Sequence, residues 1–116
     1  MKIFRLLMAL ALGGLSGCSE EKEQWEVTVE NRSTVPCTYI VTLGLNGAGS
    51  ARVDALAAGK QVVLVVGNSD TVVHTIKTII EKDEEELQPD LRLPVGKRCA
   101  IIVSPEGNVE ARVEDR

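Results

Sequence analysis

The chain is poor in aromatic side chains, with one Trp, one Tyr and one Phe among its 116 residues. Only Trp25 and Tyr39 lie beyond the N-terminal segment. Sugar-binding sites use exposed aromatic rings, and protein interfaces are commonly anchored on aromatic side chains. The scarcity therefore argues against a carbohydrate-binding protein and favours a core position for both residues.

Side chains that carry catalysis are also scarce. His74 is the only histidine, and none of Ser33, Ser50, Ser69 and Ser104 lies in a Gly-x-Ser-x-Gly or Ser-x-x-Lys motif. Strand alternation groups His74 with Val72 and Ile76, which favours a structural histidine over a catalytic or ligand-binding one. We therefore predict no enzyme activity and no cofactor.

No apolar run is long enough to cross a bilayer. The run that begins at Leu6 is interrupted at Gly13, whereas a membrane-spanning helix needs about 20 apolar residues. Lys2 and Arg5 lie near the start and small residues follow the run, which is the three-part pattern of an export signal. We predict that residues 1–17 are a signal peptide that is removed.

The signal ends in Leu15-Ser16-Gly17-Cys18, which resembles the lipobox of bacterial lipoproteins. The resemblance implies cleavage before Cys18 and acylation of its thiol, for example with palmitate. Two or three acyl chains make such an attachment effectively permanent. The implied location is the cell membrane or outer membrane, with the protein anchored by lipid and facing the periplasm or the cell exterior. The alternative is an ordinary secretory signal that contains a cysteine.

The charge balance is acidic, with 17 Asp and Glu against 13 Lys and Arg. Removal of Lys2 and Arg5 with the signal changes the formal net charge from −4 to −6. A negative domain argues against nucleic acid as a partner and against electrostatic adhesion to anionic lipid. Attachment to the membrane would therefore depend on the lipid at Cys18.

After lipidation of Cys18, Cys37 and Cys99 remain as a pair in an oxidising compartment. We predict a disulfide between them, which would close a loop of roughly 60 residues and contribute on the order of 4 kcal/mol. Free redox thiols and metal ligands are the alternatives. Both lack support, because there is no close C-x-x-C spacing.

The remaining pattern is that of strands. Residues 18–24 are rich in Glu and predict a lipidated flexible tether, and residues 25–116 predict one domain. Period-two alternation begins at Trp25, and runs rich in Val, Ile and Thr are separated by Gly, Asn, Asp and Pro clusters. No convincing helix follows, except for a possible helical turn at 81–87. We predict an all-β fold, a small antiparallel β-sandwich of about seven strands at 25–30, 37–45, 50–56, 60–66, 71–80, 98–104 and 108–113.

A repeated pattern supports the sandwich. The segments 56–66 and 93–103 both read Leu-x-x-Gly-Lys followed by an apolar strand. This resembles the sheet-to-sheet corners of Greek-key sandwiches, including immunoglobulin-like and cupredoxin-like domains, and it implies architecture without function. The positions of Cys37 and Cys99 resemble an immunoglobulin-type bridge. A blue-copper site is excluded, because such a site needs two histidines and usually a methionine, and Met1 and Met8 leave with the signal.

The acidic run at 81–86 is interpreted as a solvated loop or sheet edge. It lacks the alternating Asp or Asn and the central glycine of a calcium loop. We predict no metal site, and the weak candidates for metal ligands are His74, Asp83, Glu84, Glu85 and Glu86.

Two functions follow from these observations. The first is a lipid-anchored interaction or structural module of the cell envelope that docks on another envelope protein through a sheet edge or through its loops. The alternative is a periplasmic lipoprotein that binds a small ligand or a metal ion.

Overall fold

The computed structural model describes residues 23–44 and 47–116. These residues form nine β-strands and no helix, so none of their segments is a helix that could cross a membrane. The strands are β1 (Trp25–Asn31), β2 (Cys37–Leu43), β3 (Gly49–Leu56), β4 (Gln61–Gly67), β5 (Thr71–Ile80), β6 (Asp83–Leu87), β7 (Leu91–Leu93), β8 (Lys97–Val103) and β9 (Val109–Asp115).

The strands form two sheets that share one core. The first sheet has the order β9-β8-β1-β4 and the second has the order β3-β2-β5-β6, with β7 also paired to β5. Neighbours are antiparallel except β1 and β8, which are parallel. The core contains side chains from both sheets, so the all-β, sandwich-like fold predicted from the sequence is confirmed.

Alternation along β1 shows why this sequence folds as a strand. Trp25, Val27 and Val29 point into the core, where the two valines have no exposed surface. Full burial of a valine side chain contributes roughly 1.5–3 kcal/mol. The opposite sheet supplies Tyr39 and Val41, which are also fully buried, so the two-residue period of each strand builds one face of a common core.

The repeated Leu-x-x-Gly-Lys segments form two turns of the same kind. The amide of Lys60 donates to the carbonyl of Ala57, and the amide of Lys97 donates to the carbonyl of Pro94. Gly59 has a φ of 80° and Gly96 a φ of 88°, values that favour glycine. Each turn leads from a strand of the second sheet into a strand of the first, as the pattern predicts.

The prediction of about seven strands is wrong by two, because β6 and β7 were missed. The segment interpreted as a loop or a helical turn at 81–87 forms a tight turn at Glu81 and Lys82 and then the edge strand β6. Acidic residues have low strand propensity. Here backbone pairing with β5 and an ion pair between Lys77 and Glu84, 3.1 Å apart, hold them in an extended conformation.

Candidate functional site

The lipid-attachment prediction concerns residues outside the described part of the chain. The signal 1–17, Cys18 and most of the tether 18–24 precede Glu23, where the description begins. Their role stays a prediction.

Cys37 and Cys99 are free thiols in the structure, and the predicted bridge between them is not formed. Cys37 is the first residue of β2 in the second sheet, and Cys99 lies in β8 of the first. Neither has exposed surface. The structure makes them separate parts of the core.

Strand register explains why these thiols do not meet. The side chain of Asn31 donates to the carbonyl of Leu56, which is the residue paired with Cys37. Asn31 itself pairs with Val103 on β8, and Cys99 lies four residues before Val103. At about 3.3 Å per residue this places Cys99 roughly 13 Å along the strand, whereas a disulfide needs Cα atoms within about 7 Å.

We expect neither thiol to react with N-ethylmaleimide in the folded chain, and both to react after denaturation without a reductant. Burial raises the pKa of Cys99 from its ordinary 9.0 to about 11, and it also raises the pKa of Cys37. Mass spectrometry counts the labels. If both cysteines stay unlabelled in the denatured chain until a reductant is added, a disulfide joins them and the free-thiol assignment is wrong.

The same burial predicts a loss of stability at alkaline pH. The unfolded chain releases the thiol proton near pH 9, while the folded chain retains it until about pH 11. The contribution is therefore complete below pH 9 and decreases between pH 9 and 11. Urea unfolding at pH 8, 9 and 10 measures the free energy of unfolding, which should decrease less with pH in a Cys99→Ala variant than in the wild type. An equal decrease in both proteins would contradict the contribution of the Cys99 thiol.

His74 is the extra residue of a β-bulge. Thr42 pairs with Thr75 and Leu43 pairs with Val73, which leaves His74 without a residue opposite it on β2. Its Nδ1 lies 2.9 Å from Oδ1 of Asp90. Because the carboxylate accepts from Nδ1–H, the neutral ring is assigned the Nδ1–H tautomer.

The other ring nitrogen of His74 is covered by protein. Nε2 is buried and has no hydrogen-bond partner among the described residues. A Cβ at Gly47 would lie 3.3 Å from Cδ2 of the ring, so Gly47 packs directly on it. The bulge and the bond to Asp90 orient His74.

The structure does not bring His74 to the acidic run. Glu86, the member nearest in register, pairs with Lys77, three residues along β5 from His74. Alternation then divides the run, with Asp83 and Glu85 on one side of β6 and Glu84 on the other. No three His, Cys, Asp or Glu side chains within 23–44 and 47–116 are grouped to hold a metal ion.

Asp83 and Glu85 line a shallow cleft of about 250 Å³ together with Glu106 and Gly107 of the β8–β9 turn. Thr78 and Ile80 form its floor. Thr78 Oγ1 donates to the carbonyl of Glu85 at 3.5 Å. The cleft is acidic and open, and its polar floor residue is already bonded within the protein.

The sheet edges differ sharply in charge. On β9, Arg112 bonds Glu110 and Glu114, and the guanidinium of Arg112 holds the pKa of Glu114 below its ordinary 4.5. Charged side chains on an edge strand discourage pairing with another chain. Four of the five strands that are paired on one side only, in the described part of the chain, carry such charges: β9 has Glu110, Arg112, Glu114 and Asp115, β3 has Arg52 and Asp54, β6 has Asp83, Glu84, Glu85 and Glu86, and β7 has Arg92.

The fifth of these strands, β4, has no charged residue and is unusually apolar. Val62, Val63 and Val66 are 37%, 49% and 46% exposed, and they are the exposed large hydrophobic residues of the described chain. Only one side of the strand is paired, with β1. We call Gln61–Gly67 with its unpaired side the β4 edge.

No protein-family model matches the chain, and neither does any curated protein or solved structure.

A bulge shapes the β4 edge. Val27 pairs with Val65 while Thr28 pairs with Val63, so Leu64 is the extra residue. Leu64 and Val65 pack against the core. Val63 and Val66 lie opposite Thr28 and Glu26, which point away from the core. The outer face of the edge therefore presents one exposed valine on each side of the bulge.

Sequence reasoning identified this strand but not its exposure. An unbroken apolar run such as Val62 to Val66 is typical of a strand buried on both faces. The structure places it at an edge instead. The β4 edge thus combines a sequence typical of a central strand with an edge position, and this combination identifies it as the candidate site.

Proposed function

We propose that the protein is a lipid-anchored cell-envelope module that binds another β-strand along the β4 edge. The observation that carries the proposal is the lack of charge on β4, when every other outer strand of the described chain is charged. The lipid at Cys18 would hold the domain at the membrane surface, and the partner is a protein rather than nucleic acid.

An added strand would pair with the backbone groups that the β4 edge leaves unpaired. An edge strand offers backbone N–H and C=O groups, and an added strand bonds to them while side-chain contacts supply specificity. Val63 and Val66 are about half exposed. Covering the remaining surface of each contributes roughly 1 kcal/mol, in addition to the backbone hydrogen bonds.

The finer fold assignment belongs to the same proposal. We assign a Greek-key topology of the immunoglobulin-like or cupredoxin-like kind. Its support is the parallel pairing of β1 with β8 and the repeated crossing of the chain between sheets at 57–60 and 94–96.

The anchor is tested by fractionating cells that express a tagged full-length chain. We expect the wild type in the membrane fraction with acyl groups on Cys18, and a Cys18→Ala variant in the soluble fraction. The reason is that two or three acyl chains hold a protein at a membrane where its own negative surface does not. Membrane retention of the Cys18→Ala variant, without acylation, would count against the anchor.

The edge is tested by chemical crosslinking in intact cells. We expect the wild type to form a crosslinked species that is lost in Val63→Lys. A charged lysine on the outer face of β4 discourages pairing with another strand, as the charged side chains on the other edge strands do. Ser50→Lys is the matched control, since Ser50 is exposed on the edge strand β3. Equal loss in both variants, or in neither, would argue against the β4 edge.

The alternative, a lipoprotein that binds a small ligand or a metal ion, has less support. His74 and the acidic residues are separated, and no metal-binding group is found among the described residues. A saturable rise in melting temperature with calcium or zinc would favour it, because a ligand at 100 times its Kd stabilises the folded state by about 2.7 kcal/mol.

A further inference from the structure

We infer that the strand bound by the β4 edge is β4 of a second copy of this chain, paired antiparallel about a two-fold axis between Leu64 and Val65. The inference rests on the proposed function, because it names the partner of that same edge. It produces one continuous sheet of eight strands from the two first sheets.

The exposed valines of β4 are arranged symmetrically. Val63 and Val66 both point outward and are equally distant from the midpoint of the bulge. When a strand pairs antiparallel with itself about that midpoint, Val63 lies opposite Val66 of the second copy, and Val66 lies opposite Val63. Each copy then covers the other's exposed side chains, as a two-fold interface requires.

The charges that flank β4 favour the antiparallel direction. The strand itself is uncharged, Lys60 precedes it and Asp70 follows it. Antiparallel pairing brings Lys60 of one copy to the end where Asp70 of the other copy lies. Parallel pairing would place Lys60 beside Lys60 and Asp70 beside Asp70, which is unfavourable.

The backbone of β4 is oriented for such pairing. The amide of Asn31 donates to the carbonyl of Lys60 at 3.0 Å, so this residue directs its carbonyl towards β1. Alternate residues of an antiparallel strand direct their groups the same way. Val62 therefore faces β1, and Gln61 and Val63 present their N–H and C=O groups to the open side.

The contact between the two β4 strands is small, so its formation depends on attachment of both copies to one membrane. Two seven-residue strands bury much less than the roughly 1,600 Å² of a standard stable interface. Attachment of both copies to one membrane raises their effective concentration, and that compensates for a weak contact. The pairing is thus a property of the anchored protein.

The test uses two full-length copies with different tags, one carrying Val63→Cys and the other Val66→Cys, oxidised mildly in their own membranes. Residues directly opposite each other in a sheet are close enough for a disulfide. We expect the mixed copies to give a disulfide-linked dimer at roughly ten times the level of a Ser50→Cys control, because Val63 lies opposite Val66 of the second copy whereas Ser50 on β3 lies outside the pairing. Cys37 and Cys99 are buried and do not contribute.

The single variants decide the register. Val63→Cys alone and Val66→Cys alone should give no more dimer than Ser50→Cys, because neither residue lies opposite itself. A dimer from Val63→Cys alone would overturn the proposed register. Bonding of these cysteines to a different protein would overturn self-pairing while supporting the β4 edge. No adduct of any kind would overturn self-pairing, and the fate of the proposed function would then rest on the Val63→Lys crosslinking result.

Discussion

Replacing Asn31 by aspartate is expected to cost about 3–5 kcal/mol, enough to unfold much of the population of a small domain. Asn31 is fully buried at the end of β1. Its Nδ2 donates to the carbonyls of Val35 and Leu56 at 2.8 and 2.9 Å, and its Oδ1 accepts from the amide and hydroxyl of Ser33 at 2.9 and 2.6 Å. Aspartate replaces both donated hydrogens with an oxygen that faces two carbonyl oxygens.

The same substitution at Asn108 is the matched control. Asn108 is exposed on the β8–β9 turn, so Asn108→Asp should change the free energy of unfolding by less than about 0.5 kcal/mol. Urea denaturation followed by circular dichroism measures both variants. Similar stabilities for Asn31→Asp and Asn108→Asp would refute the role of Asn31 as the junction between β1, the 32–36 turn and β3.

Acid should relieve part of this loss. Burial and the lack of a donor raise the pKa of the introduced carboxyl, and a protonated carboxyl can donate to one of the two carbonyls. The contribution is present below the folded-state pKa and is lost as pH rises through it. The difference between Asn31→Asp and the wild type should therefore be smaller at pH 4 than at pH 8.

Gly67→Ala is expected to destabilise the chain by about 2–4 kcal/mol, because overpacking forces a large buried side chain out of place. A Cβ at Gly67 would lie 2.1 Å from Cζ2 and 2.5 Å from Cε2 of Trp25. The indole cannot retain its position, and its Nε1 would lose the 2.5 Å bond to the carbonyl of Ser69. The fluorescence of this single tryptophan should shift to longer wavelength.

A double-mutant cycle isolates the contact. In a Trp25→Leu background the alanine at position 67 has no ring to displace, so it should cost at least about 1 kcal/mol less than in the wild type. Thermal or urea unfolding of the four proteins gives the coupling. Additive effects would show that Gly67 is needed for some reason other than the close approach of Trp25.

The failures of the sequence-based predictions have a common physical origin. Period-two alternation from Trp25 correctly predicted a strand with one buried face, which carries Val27 and Val29, because such alternation reports which face of a strand is buried. It does not report which strand lies beside it. The acidic strand β6 was missed for this reason, since its extended conformation comes from pairing with β5 and from the Lys77–Glu84 ion pair rather than from its own propensity.

Within the chain, the sequence by itself determined the all-β character, most strand positions and the glycine turns at Gly59 and Gly96. These depend on side-chain alternation and on backbone preferences of single residues. Only the tertiary structure decided that Cys37 and Cys99 lie at different levels of the core, that His74 occupies a bulge beside Asp90, and that the apolar strand β4 is an edge. Each of these depends on the order and register of strands distant in sequence, which are set by the packing of the whole domain.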